Sequence, residues 1–352
     1  MTNTTQQGIV KWQSPANIAL VKYWGKKGYQ IPANPSISFT LNNAYTEMSL
    51  QWETKATPSD TIDLTFYFEG KENPKFRQKI ADFLQTRISE YPFLKQLKLT
   101  VHSENSFPHS AGIASSASSM SALALCLCSL EKIFLGTMQT ETEFFYKASY
   151  LSRLASGSAS RSVYGGLVTW GKIPGLDYTS DEVASQLQTS VHENFKNYQD
   201  AVMVVSRGEK ATSSRAGHAL MDAHPFKEAR YEQAYQNIKD IIKAIETGDY
   251  ETFGKITEAE ALTLHGLMMT SDPSVLLLLG NSLEIIHRLR TFRDNKRLPV
   301  CFTIDAGPNI HILYPAEVKK EVDSFIVAEL SQLCESNYWI ADKTGNGPKQ
   351  LA

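Results

Sequence analysis

FPHSAGIASSASS, residues 107–119, is the stretch on which the reading of this chain turns. A proline and a Ser-Ala-Gly step lead into Ala-Ser-Ser. They open a run of small and apolar residues from Gly112 to Phe134, GIASSASSMSALALCLCSLEKIF. The run predicts a long helix that is apolar on several sides and therefore buried. Small side chains at its start let an anion approach the backbone. The unpaired N–H groups and partial positive charge of a helix N-terminus favour such an anion. Ser115 and Ser116 add hydroxyls suited to phosphate oxygens or to a magnesium ion. A helix packed tightly on a sheet would need the same small residues without any ligand, so the segment alone leaves both readings open.

Other phosphate motifs do not compete. The nearest approach to G-x-x-x-x-G-K-[ST] is GLVTWGKI, residues 166–173, which fails at its last position and lies in strand-like sequence. No G-x-G-x-x-G follows a strand, so a dinucleotide fold has no support.

Outward from the helix, the N-terminal half mixes strands and helices without a strict βαβ rhythm. Ile62, Leu64, Phe66 and Phe68 alternate as in a strand, as do Leu97, Leu99 and Val101. Between them Phe76, Ile80, Phe83, Leu84 and Ile88 mark a helix over Lys75–Ser89. Val163–Trp170 reads as a strand entered from a Gly/Ser-rich loop. The polar stretch Asp181–Asn197 is the expected boundary, dividing the chain into residues 1–190 and 191–352. Beyond it the pattern predicts a strand at Ala201–Ser206 and helices at Phe226–Ile245, Tyr250–His265 and Ser274–Phe292. A strand at Val300–Ile304, a turn at Asp305–Pro308, a strand at His311–Leu313 and a helix at Pro315–Cys334 follow. This order suits an α+β fold.

The bulk properties bound the function. The chain has 352 residues, 42% of them hydrophobic, with 35 Lys+Arg against 37 Asp+Glu and a net charge of -2. No basic excess points to nucleic acid or a membrane surface, so an acidic ligand must meet locally clustered cations. The polar start MTNTTQQGIVKWQ is not a signal peptide, and no stretch is expected to reach the roughly 18 apolar residues that span a bilayer. Cys126 and Cys128 lie two apart in the helical run and point in different directions, so the four cysteines read as buried packing in a reduced, cytoplasmic protein. The eight histidines form no zinc spacing, so no structural metal is assigned.

Five motifs occur in order: PANIALVKYWGKK (Pro15–Lys27), PHSAGIASS, SGSASR (Ser156–Arg161), SSRAGH (Ser213–His218) and DAGPN (Asp305–Asn309). Together, across residues 10 to 315, they resemble the mevalonate diphosphate decarboxylases of the GHMP kinase superfamily. KYWGK and DAGPN carry more of the resemblance than the phosphate loop, which GHMP kinases share. The resemblance implies a ribosomal-protein-S5-like N-terminal domain and a ferredoxin-like C-terminal domain with the active site between them. It implies ATP-dependent decarboxylation of (R)-5-diphosphomevalonate to isopentenyl diphosphate, magnesium entering with ATP, and a homodimer. Phosphomevalonate decarboxylases, mevalonate 3-kinases and a non-catalytic ligand sensor of the same fold are the alternatives.

The implied roles fall on residues whose chemistry suits them. Asp305 ends the apolar strand CFTID and begins a turn. There it can accept or orient a hydroxyl proton, or simply hydrogen-bond its own turn. At a reference pKa of about 3.9 it is a weak base for a tertiary alcohol, so orientation is part of the expected role. Lys22 would keep that carboxylate ionised. Arg161 offers a planar fork for the substrate carboxylate, with Asn17 beside it. Tyr23, Lys26, Ser156, Gly157, Ser158, Ala159, Ser160, Ser214 and Arg215 match positions around the diphosphate. Trp24 and Gly25 match its walls, and Arg77 is a looser match that serves equally as a solvated helix arginine. Asn105, Ser110, Ala111, Gly112, Ser115 and Ser116 are the expected ATP contacts, with Ser116 the candidate magnesium contact. Three positions depart from the family pattern: His109-Ser110 stand where Thr-Ala is frequent, Gly28 where Asp is common, and His218 where Met is common.

Overall fold

A computed structural model describes residues 5–108, 115–208 and 214–352. The strands are β1 (Gln7–Val21), β2 (Ser36–Thr54), β3 (Asp63–Phe68), β4 (Lys71–Glu72), β5 (Leu97–Asn105), β6 (Leu167–Trp170), β7 (Ser185–Gln186), β8 (Gln199–Met203), β9 (Cys301–Ile304), β10 (Ile310–Tyr314), β11 (Trp339–Lys343) and β12 (Lys349–Gln350). The helices are α1 (Pro74–Gln85), α2 (Ser115–Leu135), α3 (Glu141–Ala155), α4 (Ser214–Ala219), α5 (Lys227–Thr247), α6 (Tyr250–Met269), α7 (Gly280–Lys296) and α8 (Lys319–Phe325). Among the described residues these strands form two sheets. The first runs β12-β1-β2-β5-β3-β4, with β6 on β2 and β7 on β6. The second runs β11-β8-β10-β9. Every pair is antiparallel except β3–β5.

The first halves of β1 and of the β3/β5 pair alternate between buried and exposed, because one face packs under α1–α3 while the other meets water. From Ser14 onward β1 is buried without interruption. Here Ala16, Ile18, Leu20 and Val21 join Ile37, Phe39 and Leu41 of β2 in a core shared with α5, α6 and Cys301. Register shifts between Pro15 and Asn17 and between Ala19 and Val21 break the ladder in this stretch. Such irregularities re-aim side chains; Asn17 follows the first of them and Lys22 lies just beyond the second. The chain ends by returning to the first sheet: Trp12 pairs with Gln350, and Leu41 bridges Thr344.

The helix α2 matches the expected run and is buried on several sides. By length and composition it could cross a membrane, which corrects the expectation that no stretch would; 72% of that stretch is buried inside the fold, so it is a core helix. All four cysteines are free and buried. The strand expected from Val163 begins only at Leu167, because Gly157–Val163 forms a 3₁₀ turn and Gly165–Gly166 bends the chain. Gly166 has φ +71°, and a Cβ on Gly165 would lie 2.3 Å from the Asn346 carbonyl carbon, so both positions require glycine. The helix expected from Ser274 starts at Gly280. The last expected helix breaks into a 3₁₀ turn, α8, a wider π turn (Ile326–Leu330) and another 3₁₀ turn (Ser331–Leu333). The two longest strands, β1 and β2, had no counterpart in the sequence reading.

Asp342 of β11 ties the two sheets together. Its Oδ1 accepts from the N–H of Asn42 (2.9 Å) and Asn43 (2.8 Å), and its Oδ2 from that of Ala44 (2.8 Å). Burial raises its pKa, partly opposed by the Asn43 and Ala44 donors. Asp342→Ala orphans three backbone donors, and urea unfolding is expected to register a loss of about 2–4 kcal/mol; a variant as stable as the parent would mean that water replaces the carboxylate freely.

Candidate active site

Lys22 lies one residue beyond β1, and its side chain is 3% exposed. Its Nζ donates to Asp305 Oδ1 at 2.8 Å. Asp305 follows directly on β9, and its carbonyl accepts from His265 Nε2 at 3.1 Å. The rest of the turn is pinned: Ser282 Oγ donates to the Pro308 carbonyl, and Asn309 exchanges two hydrogen bonds with the Ser206 backbone. Asp305 keeps 27% of its side chain exposed, so the pair is closed on the lysine side and open on the carboxylate side. Burial lowers the Lys22 pKa; the charge of Asp305 opposes that shift, and Arg161 adds to it.

Arg161 is buried at the end of the SGSASR turn. Its Nε donates to Ser38 Oγ (3.0 Å) and to Asn17 Oδ1 (3.3 Å), its Nη1 donates to Ser36 Oγ (2.7 Å), and the guanidinium lies 5.9 Å from the Trp170 ring centroid. Asn17 Nδ2 in turn donates to Ser162 Oγ and the Ser158 carbonyl. All these acceptors are neutral, so burial pushes the Arg161 pKa down to about 10, with Asp305 as its main charged counterweight. Among the described residues, Nη2 finds no protein acceptor. A buried cation held by neutral oxygens with a donor to spare suits an incoming carboxylate.

Tyr23 and Trp24 build the wall beside these groups. The Tyr23 ring lies 4.6 Å from Trp170 and 4.2 Å from His218, and Trp24 lies 4.7 Å from His218. Among the described residues the buried Tyr23 hydroxyl has no hydrogen-bond partner, and burial raises its pKa, so it remains a donor. Gly25 donates its N–H to His218 Nδ1 at 3.0 Å, and Lys26 Nζ donates to Gln30 Oε1 at 2.6 Å. Close packing dictates the small residues here. A Cβ on Gly157 would meet Tyr23 Oη at 3.0 Å, and one on Gly217 would meet Trp24 at 2.5 Å. Ser156 and Ser158 are half-buried, while Gly157, Ala159 and Ser160 are buried; Ser160 Oγ turns inward to the Gly157 carbonyl.

The structure thus brings together Asp305, Lys22, Arg161, Asn17, Tyr23, Trp24, Gly25 and the SGSASR turn. Arg77 does not join them; it stands exposed on α1. Ser115 and Ser116 are half-buried in the first turn of α2. Asn105, bonded by Thr46, lines a cleft with Ser115, Phe66, Phe76 and Met120. Ser110, Ala111 and Gly112 lie outside the described residues, as do the side chains of Ser214 and Arg215. Sequence reasoning missed Ser36 and Ser38, which hold Arg161, and Arg230 and Glu260, which hold the Lys22 backbone. The alternation Ser36, Ser38, Thr40 in an otherwise apolar segment was the signal for the first two. Nothing local marked the others.

Comparisons with known proteins agree along the whole chain. The model of a diphosphomevalonate decarboxylase-like N-terminal domain matches residues 14–184, and that of a mevalonate 5-diphosphate decarboxylase C-terminal domain matches residues 201–350. The diphosphomevalonate decarboxylase of Candida albicans is 30% identical over 330 residues, covering 89% of this chain and 86% of its own. A solved structure of the mevalonate diphosphate decarboxylase from Staphylococcus aureus superposes with a TM-score of 0.82 at 27% identity, over 99% of both chains. A structure described as MDDEF in complex with MVAPP, AMPPCP and magnesium superposes equally well, at 0.82 and 28% identity, over 98% of this chain and 99% of that one.

His218 offers a test of this geometry. Burial, reinforced by Lys26 and Arg161, pushes its pKa down to about 3. In the unfolded chain it would titrate near 6.5, at about the free value. As pH falls below that value, the unfolded state takes up a proton that the folded state refuses, so this residue's contribution to stability declines from there down to about pH 3. Melting curves of the parent and His218→Gln across that range are expected to converge, or to cross in the variant's favour, as pH falls. A pH-independent gap would remove His218 from the buried, neutral state described.

Proposed function

The chain belongs to the mevalonate diphosphate decarboxylase family and has the GHMP kinase fold, and we propose that Asp305, Lys22 and Arg161 form the reacting centre of its ATP-dependent decarboxylation of mevalonate diphosphate. The observation that carries the assignment is the 2.8 Å Lys22–Asp305 pair within electrostatic reach of Arg161.

The reaction transfers the γ-phosphoryl group of ATP to a tertiary hydroxyl. The new phosphate then leaves, carbon dioxide is lost and a double bond forms. Asp305 sits where it would accept a hydrogen bond from that hydroxyl and take its proton as the attack proceeds. Lys22 keeps the carboxylate ionised; an Asp so paired is a feeble base, so its larger part is to aim the oxygen. Arg161 binds the substrate carboxylate through the edge that the serines leave free. Its neutral supports keep the guanidinium's charge undivided until the substrate arrives. That grip must loosen as carbon dioxide forms, since only interactions stronger in the transition state speed the step. Tyr23 Oη, Lys26 and the half-buried Ser156 and Ser158 would surround the diphosphate, and Ser214 and Arg215 are proposed as further contacts to it.

The nucleotide phosphates would lie at the start of α2 by Ser115 and Ser116, with Asn105 close by. Magnesium enters with ATP and neutralises phosphate charge. Ser116 is the proposed hydroxyl contact to that ion. The buried-cysteine chemistry fits a cytoplasmic enzyme, and the domain division we propose is 1–190 and 191–352.

Coupled measurement of ADP and carbon dioxide release from mevalonate diphosphate tests the assignment. Asp305→Ala is expected to reduce turnover by roughly 10²–10⁴-fold while ATP still binds in a titration; retained turnover would make Asp305 a turn residue. Arg161→Lys replaces a fork by a point charge, and kcat/KM for mevalonate diphosphate is expected to fall about 10- to 100-fold. An unchanged value would take Arg161 off the carboxylate.

A further inference from the structure

Arg230 of α5 and Glu260 of α6 form an ion pair that the chemistry above does not use. Their exposures are 2% and 0%. Arg230 Nη1 and Nη2 donate to Glu260 Oε1 and Oε2 at 2.7 and 2.6 Å. Withdrawing two such ions from water costs several kcal/mol per ion, and apolar residues of similar volume often serve stability as well or better. Stability alone is therefore a poor reason for this pair.

What the pair also holds is the peptide of Lys22. The Lys22 N–H donates to Glu260 Oε2 at 2.8 Å, and Arg230 Nη2 donates to the Lys22 carbonyl at 3.0 Å. Asn34 Nδ2 donates to the same carbonyl at 2.9 Å, and Asn237 Nδ2 donates to Glu260 Oε1 at 2.7 Å. Lys22 lies just past the last ladder pair of β1, Val21 with Ile37. Its backbone groups are buried there with no neighbouring strand to satisfy them, so side chains must. Apart from Asn34, these supports come from helices of the other half of the chain, the half that also carries Asp305.

We propose that the Arg230–Glu260 pair is a positioning device for the reaction, a clamp by which α5 and α6 fix the Lys22 backbone so that Nζ meets Asp305. The inference rests on the reading of Lys22 and Asp305 as reacting-centre groups. Glu260 adds an electrostatic effect to the steric one. The charged groups facing Lys22 are Asp305 from the turn after β9, Glu260 from α6, Arg230 from α5 and Arg161 from the SGSASR turn, with His265 of α6 on the Asp305 carbonyl. Burial drives the ammonium toward its neutral form, and Asp305 and Glu260 both oppose this. Loss of the clamp would both loosen Lys22 and let it shed its proton at a lower pH.

The test uses the full chain. Arg230→Met/Glu260→Leu and Arg230→Gln/Glu260→Gln are compared with the parent for folding by circular dichroism, and for kcat and KM from neutral to alkaline pH. The expected result is a folded protein whose kcat is down about 10- to 100-fold, as for misplacement of a reacting group by about 1 Å. The alkaline limb of kcat moves to lower pH, and KM for ATP is unchanged. A folded double variant with the parent's kcat, or with reduced kcat and an unmoved limb, overturns the clamp. If neither double variant folds, Asn237→Ala decides, because it removes one bond to Glu260 from a half-buried position. A smaller loss of kcat with the limb shifted the same way supports the clamp, and parent-like kinetics overturn it. Lys22→Ala separates the two assignments. If it retains turnover, the role of Lys22 fails and the clamp with it; if it is inactive while the clamp variants match the parent, the clamp alone fails.

Discussion

A lysine that is 3% exposed cannot keep its charge without a carboxylate beside it, and Lys22 finds that carboxylate 283 residues away in Asp305. Much of the architecture can be read as the means of bringing those two groups to 2.8 Å. The strand that ends at Lys22 belongs to the first sheet and the strand that ends at Asp305 to the second. Their junction is sealed by a core to which Ile18, Leu20 and Val21 contribute from one side and Ile241, Phe253 and Cys301 from the other. Thr303 Oγ1 donates to the Ala19 carbonyl at 3.3 Å, directly beside the pair. The proposed reacting centre therefore lies where the two sheets are packed together on that core.

The walls of the site follow a second rule, which is charge held by neutral partners. Arg161 rests on Asn17, Ser36, Ser38 and the face of Trp170 rather than on a carboxylate. Tyr23 is kept as a phenol, and His218 as an uncharged ring between Tyr23 and Trp24. A cavity built this way has a positive field with few local anions to cancel it. Such a field suits a substrate bearing a diphosphate and a carboxylate together with a second polyanion, ATP. His218 does not disturb the field, because burial and the surrounding cations hold it neutral. It adds an acceptor that fixes the Gly25 peptide.

Close packing enforces the small residues that sequence motifs express as letters. Gly157 and Gly217 leave no room for a Cβ against Tyr23, Trp170 and Trp24, and Gly25 has φ +96° with Tyr231 above it. The Gly/Ser-rich SGSASR segment is thus an ordered, mostly buried turn.

The residues alone determined the buried helix after the phosphate loop, the strands that alternate on one face, and, through KYWGK, SGSASR and DAGPN, the family and the residues proposed as its reacting groups. These were legible because each depends on local periodicity or on an unusual cluster of chemistry within a few positions. They did not determine β1 and β2, whose inner halves are buried on both faces and so lose the alternation that marks a strand. Nor did they separate the strand at Leu167 from the 3₁₀ turn before it, since Gly165 is required only by a backbone arriving from residue 346. Arg230, Glu260, Ser36 and Ser38 could be assigned only in the folded molecule. Each acts by satisfying a buried group of a residue far away in the chain, and no local pattern records which distant donor or acceptor folding will leave in need of a partner.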